Sequence, residues 1–217
     1  MNDKDTLKQR VGEICDLMLN DVKAFQYLKS QHAESYKEAN EDSKLGIGGG
    51  NFLQTLGTLS VFYFLVKMNH MVRFESLDKL NEALGDFKKY SMRIEKAGCR
   101  VEDLYKLAGV NWYIKYEDLY RNYRNYLAHV SVPKGVINAD IAFLSGNDYV
   151  NSCKTLERSN AHVFEVDDSG SIISLNADLL FRDVQRMKKA LINKIGNIEN
   201  RDEELTVVLQ IINEIFT

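Results

Sequence analysis

A single proline, Pro133, stands in a chain of 217 residues. Proline ends or kinks a helix because it lacks the backbone N–H and clashes with the preceding turn. With one proline and only thirteen glycines, the chain is expected to run in long helices with few breaks. The apolar spacing agrees. Leu7, Val11, Ile14, Met18, Val22, Phe25 and Leu28 recur at three- and four-residue steps behind Asp5, a candidate N-cap. Past Tyr36 the pattern turns polar, and Gly46-Ile47-Gly48-Gly49-Gly50 reads as a hinge or linker.

Asn51 is the expected cap of a second helix, Phe52 to about Arg73, which is apolar on nearly all sides. A membrane span needs ~20 largely apolar residues. Gln54, Thr55, Thr58, Ser60, Lys67, Asn69 and His70 interrupt this one too often, so a central core helix is the expectation. Ser76 precedes a third helix, Leu77 to about Ala97, with Gly98 as its C-terminal cap. A short helix from Val101 to Leu107 stops at Gly109. A fourth main helix then runs from about Asn111 to Ala128 and is ended by Pro133 and Gly135.

Residues 136–159 show poor periodicity and are read as irregular, with one short element at most. His162–Val166 and Ser171–Leu175, joined through Asp167-Asp168-Ser169-Gly170, predict a β-hairpin. Asn176 is expected to cap a helix from Ala177 to about Ile195, and a last helix runs from about Glu203 to Ile215. The predicted fold is therefore mainly α: a helical bundle with a small β-hairpin insert at about 162–175. Residues 1–45 form its long N-terminal helix and 51–217 its helical domain, together one compact unit.

The net charge of −3 argues against a protein that coats nucleic acid through bulk charge. Locally the balance differs: Arg100 to Lys134 holds Arg100, Lys106, Lys115, Arg121, Arg124 and Lys134 against Glu102, Asp103, Glu117 and Asp118. Cys15, Cys99 and Cys153 are odd in number and widely spaced, with no CxxC pair, which favours reduced, buried thiols over disulfides or a zinc site. No His, Cys and acid grouping has metal-ligand spacing, so neither a metal nor another cofactor is expected. The polar start, Met1-Asn2-Asp3-Lys4-Asp5, shows no secretion signal, and the expected location is the cytoplasm, without a membrane partner.

The chemistry-bearing stretch is Tyr120-Arg121-Asn122-Tyr123-Arg124-Asn125-Tyr126-Leu127-Ala128-His129. Arg124 and His129 form an Arg-x4-His pair with an amide, Asn125, directly after the arginine. Arginine presents a planar fork of donors that matches phosphate and stays charged. Histidine titrates near neutrality and can accept or deliver a proton. The two suffice to cleave RNA without metal: the imidazole handles the 2′-hydroxyl or leaving-group proton, and the guanidinium stabilises charge growing on the phosphate. Along a regular helix the two side chains would point about 140° apart. A distorted last turn before Pro133, or a second copy facing the first across a dimer axis, would relieve that divergence.

Arg124-Asn125-Tyr126-Leu127-Ala128-His129, late in a helical bundle, resembles the Arg-x4–6-His motif of the HEPN (higher eukaryotes and prokaryotes nucleotide-binding) superfamily. The resemblance covers about Phe52 to His129. It implies a homodimer whose facing motifs build one cleft, and a metal-independent endoribonuclease of a defence or toxin–antitoxin system. An antitoxin or nucleotidyltransferase partner is a further implication. In that picture Arg124 and His129 are catalytic and Asn125 orients them or the phosphate. Tyr126, Arg121 and Tyr123 are the substrate-binding candidates. Other relatives keep the bundle and only bind nucleotides or proteins.

A purely structural account of the same residues stays open. A protonated His129 would meet the helix dipole favourably at a C-terminus. Arg121 stands four residues after Glu117, an ordinary surface pair, and the tyrosines would pack the bundle. Other signals are weaker. Gly46-x-Gly48-Gly49-Gly50 lacks the ending of a phosphate loop. Arg158 and His162 lie in loop and strand, and His32 and His70 stand alone. Arg182, Arg186, Lys188, Lys189 and Lys194 give the late helix a basic character, either a solvated face or a source of nonspecific phosphate contacts.

Overall fold

A computed structural model describes residues 3–31, 49–74, 76–89, 99–112, 137–138, 163–166 and 172–216. Among them are six helices and three short strands, in the order α1 (Asp3–Gln31), α2 (Gly49–Met71), α3 (Leu77–Lys89), α4 (Val101–Ala108), β1 (Ile137–Asn138), β2 (Phe164–Val166), β3 (Ile172–Leu175), α5 (Ala177–Gly196) and α6 (Asp202–Phe216). The protein is mainly helical, as the spacing predicts. Contacts divide the chain into two units. The first takes Met1–Leu17, Val61–Asn111 and Gln185–Thr217, and the second takes Met18–Ser60 and Trp112–Val184.

In the first unit, the C-terminal part of α2 supplies the largest share of the described core. Val61, Phe62, Leu65, Val66 and Met68 are almost wholly buried. The ring of Phe62 stacks on Tyr105 of α4 with centroids 6.0 Å apart and meets Tyr63 at 5.4 Å. Each large apolar side chain buried in this way contributes roughly 1.5–3 kcal/mol. Leu7, Val11, Ile14 and Cys15 of α1, Leu80 of α3, Val101 and Leu104 of α4, Met187, Leu191 and Ile195 of α5, and Leu205, Val208 and Ile212 of α6 are buried with them. α6 packs on α3.

In the second unit α1 and α2 approach closely at Gly57: a Cβ there would meet Val22 Cγ2 at 3.0 Å. Two glutamines join at one carboxylate, as Gln26 of α1 and Gln54 of α2 each donate an amide N–H to Asp178 Oδ1 at 2.8 Å. The strands form a mixed sheet in the order β1-β3-β2. The predicted hairpin is present as β2 antiparallel to β3, with a bulge between Glu165 and Val166. β1 runs parallel to β3 and places an ordered strand in a region read as irregular. Two residues carry no alternation to read, and only the pairing partner reveals them.

Caps fell where local chemistry puts them. Ser76 Oγ accepts from Lys79 N at 3.4 Å, and Asn176 Oδ1 accepts from Asp178 N and Leu179 N at 3.1 and 3.0 Å. Gly109 closes α4 in the left-handed region, φ 63°, which glycine adopts without a Cβ penalty. Three boundaries are corrected. α1 begins at Asp3, so Asp5 sits within the first turn, where its charge still favours the helix N-terminus. α2 begins at Gly49, so Asn51 is inside the helix and not its cap. Asn111 and Trp112 are not helical. The C-terminal part of the third helix, with Gly98, and most of the fourth main helix lie outside the described residues.

The stripe on α1 is also revised: Cys15 and Leu19 are buried, whereas Met18 is only partly so. A 3.6-residue repeat makes the buried line broader than one residue per turn. No described helix is long and apolar enough to cross a membrane. In α2 five of the seven interrupting groups are buried: Gln54, Thr55, Thr58, Asn69 and His70 are all at most 4% exposed. The Thr58 hydroxyl donates to Gln54 O at 2.7 Å, so its burial costs little.

Replacing Asn176 by Ala removes the acceptor for two N–H groups at the start of α5. We expect a loss of about 1 kcal/mol in urea unfolding, and near-parental stability for Asn176→Ser, which restores a capping oxygen.

Candidate functional site

The motif residues Arg121, Tyr123, Arg124, Asn125, Tyr126 and His129 fall in 113–136, outside the described residues, as do Arg158, His162 and Cys153. The chain on either side of 113–136 is described, and it is well anchored. On the N-terminal side Trp112 is 6% exposed, and its indole Nε1–H donates to Asp183 Oδ2 of α5 at 3.0 Å. A buried carboxylate is costly unless hydrogen-bonded. Asp183, 4% exposed, receives the indole on one oxygen, while Nε and Nη2 of Arg182 approach the other at 3.4 Å. On the C-terminal side Ile137 and Asn138 pair with Ser174 and Leu175 of β3. β3 passes through the capping residue Asn176 directly into α5. Both flanks of the motif segment are thus fixed to one continuous stretch, β3 and the first two turns of α5.

The basic helix anticipated from the sequence is α5, and the structure changes its meaning. Lys188 Nζ pairs with Asp16 at 2.7 Å, Arg182 faces Asp183, and Lys194 Nζ donates to Asn69 Oδ1 at 2.9 Å. At least three of its five cations are therefore engaged within the fold, and the five do not form a uniform solvated face.

A second constellation, in the first unit, joins residues that no local spacing connects. Arg73 Nη1 donates to Asp103 Oδ2 at 2.9 Å, a half-exposed pair worth about 1 kcal/mol or less. Arg201 Nη1 donates to the Val72 carbonyl at 3.2 Å. Lys194 lies within the field of Asp103, Arg73 and Arg201. Burial lowers its pKa most, Asp103 opposes that shift, and the two arginines add to it. His70, 4% exposed and edge-on to Phe74 at 4.8 Å, is pushed down to about 4, first by burial and then by Arg73. It is a core residue, in keeping with its solitary place in the sequence. Arg73, Asp103, Lys194 and Arg201 come from the end of α2, from α4, from α5 and from the turn before α6. Only the basic character of α5 hinted at them.

Cys15 and Cys99 are free and buried, and burial raises both thiols to about 12, so neither is a nucleophile near neutral pH. Among the described residues no group of three His, Cys, Asp or Glu side chains could hold a metal ion. No family model matches the sequence, and no curated protein or solved structure matches it.

Trp112→Phe keeps the ring but withdraws the indole donor from a buried carboxylate; unfolding free energy should fall by about 1–3 kcal/mol, measured in urea. His70 carries a second expectation. Its folded pKa lies below its unfolded value of 6.5, so the unfolded chain takes up the proton first as pH falls. The contribution is fully present above pH 6.5 and is lost as pH drops toward 4. The slope is at most about 1.4 kcal/mol per pH unit. Urea titrations at several pH values on the parent and His70→Gln should show that the substitution flattens the acid limb.

Proposed function

We propose that the protein is a metal-independent endoribonuclease of a defence or toxin–antitoxin type, acting in the cytoplasm as a homodimer. The observation that carries this reading is the run Arg124-Asn125-x3-His129 in an aromatic segment of a mainly helical chain. Arg124 stabilises the charge on the phosphate and His129 moves the proton at the ribose 2′-hydroxyl or the leaving oxygen. Asn125 orients the pair or the phosphate, and Arg121, Tyr123 and Tyr126 contact the RNA. Two copies of the motif across a dimer axis supply one cleft, which removes the angular divergence a single helix would impose. The anchoring of both flanks supports the reading, because positioned catalytic groups require a stiff base. An antitoxin or nucleotidyltransferase is the corresponding class of partner.

The test is RNA cleavage in EDTA by the parent, Arg124→Ala and His129→Ala. Each substitution should lower the rate by roughly 10²–10⁴-fold, the usual contribution of a positioned acid–base group. Cleavage of parental strength in both variants removes these residues from the mechanism. A parent that binds nucleotide or a protein partner without turning over RNA is instead a noncatalytic helical module.

A further inference from the structure

A cleft of about 550 Å³ opens beside the C-terminal end of α5, lined by Leu107, Ala190, Asn193, Lys194, Asn197 and Ile198. Its volume is within the usual range of small-molecule sites, about 300–1,000 Å³. The described residues that line it lie outside the motif. We propose that this cleft binds a small phosphate monoester with an apolar body, and that Lys194 is its charged anchor.

Charge balance selects the ligand's sign. Lys194 stands on the cleft wall, and Arg73, Arg201 and Asp103 act on its charge, so among the described residues three cations stand against one carboxylate in its field. Asp103 is already engaged by Arg73. Arg201 donates Nη1 to a neutral carbonyl and keeps Nε and Nη2 buried with no hydrogen-bond acceptor among the described residues, so its charge adds to the field at Lys194. That charge needs no contact with the ligand, because Coulomb attraction in a half-buried site reaches several ångström. A phosphate monoester carries about −1.5 to −2 at neutral pH, which matches the local excess.

Donor count and wall chemistry narrow the class further. A lysine ammonium has three N–H donors, and Lys194 gives one of them to Asn69. The side chains of Asn193 and Asn197, both exposed, add amide groups on the same wall. Among the described residues no carboxylate lines the cleft, which disfavours a cation. Leu107, Ala190 and Ile198 add apolar lining that a bare inorganic anion would leave unused.

The experiment is calorimetric titration of the full chain with phenyl phosphate, inorganic phosphate and phenol, repeated on Lys194→Met and Asn193→Asp. Lys194→Met strands the Asn69 oxygen and carries a folding risk; Asn193→Asp changes an exposed residue and keeps the test intact. We expect phenyl phosphate to bind the parent more tightly than inorganic phosphate, phenol not to bind, and each folded variant to lose tenfold or more in affinity. The proposal is overturned by absence of phenyl phosphate binding at millimolar concentration, by binding that Asn193→Asp leaves unchanged, or by phenol binding equally well. Inorganic phosphate binding as tightly as the ester overturns the assignment of an organic ligand. None of these readouts depends on RNA cleavage, so the cleft and the motif stand or fall separately.

Discussion

Burial of α2 around most of its circumference is the constraint on which the rest of the described structure depends. Only Leu56, Gly57, Ser60, Phe64 and Lys67 remain half exposed, and they fall on one line along the helix. Everything else on α2 with a described side chain is inside. A helix apolar on nearly every side is stable only when other elements enclose it. Within the first unit α4 meets it at Phe62 and α5 at Asn69, and within the second α1 meets it at Gly57 and α5 at Gln54. Burial on nearly every side explains why α2 lacks the clean three- and four-residue apolar spacing that α5 and α6 show.

Enclosing such a helix buries polar groups too, and their satisfaction fixes how neighbours meet. Thr58 and Ser60 turn their hydroxyls to carbonyls one turn back. Gln54 and Asn69 reach α5, the first to Asp178 and the second to Lys194. An unmatched buried amide costs about 1–3 kcal/mol, so such bonds discriminate among packings that apolar contact alone would leave nearly equal. The carboxylates of α5 act in the same sense: Asp178 collects two glutamines, and Asp183 holds the indole of Trp112 at the threshold of the motif segment.

The two candidate sites differ in how the sequence displays them. The Arg124–His129 motif is a contiguous string, readable without a fold. The cationic group around Lys194 has members up to 128 positions apart, from Arg73 to Arg201, and exists only because separate elements converge. Conversely, the run of positive residues on α5 suggested a phosphate-contacting face, yet Arg182, Lys188 and Lys194 are each turned toward a partner. Charge counted along a helix does not tell which charges are already neutralised across space.

What the sequence determined by itself is the local architecture. The positions of the described helices followed from apolar spacing. The caps at Ser76 and Asn176 and the stop at Gly109 followed from bonds that close within three or four residues, and the hairpin from alternation around a turn. Tertiary structure decided whatever depended on a distant partner: β1, which has meaning only beside β3; Cys15 and Leu19, buried because the packed stripe is broader than its repeat; and the bond from Trp112 to Asp183. The division follows range. Helical and capping interactions are settled by near neighbours, while strand pairing, buried ion partners and local electric fields arise between residues that only folding brings together.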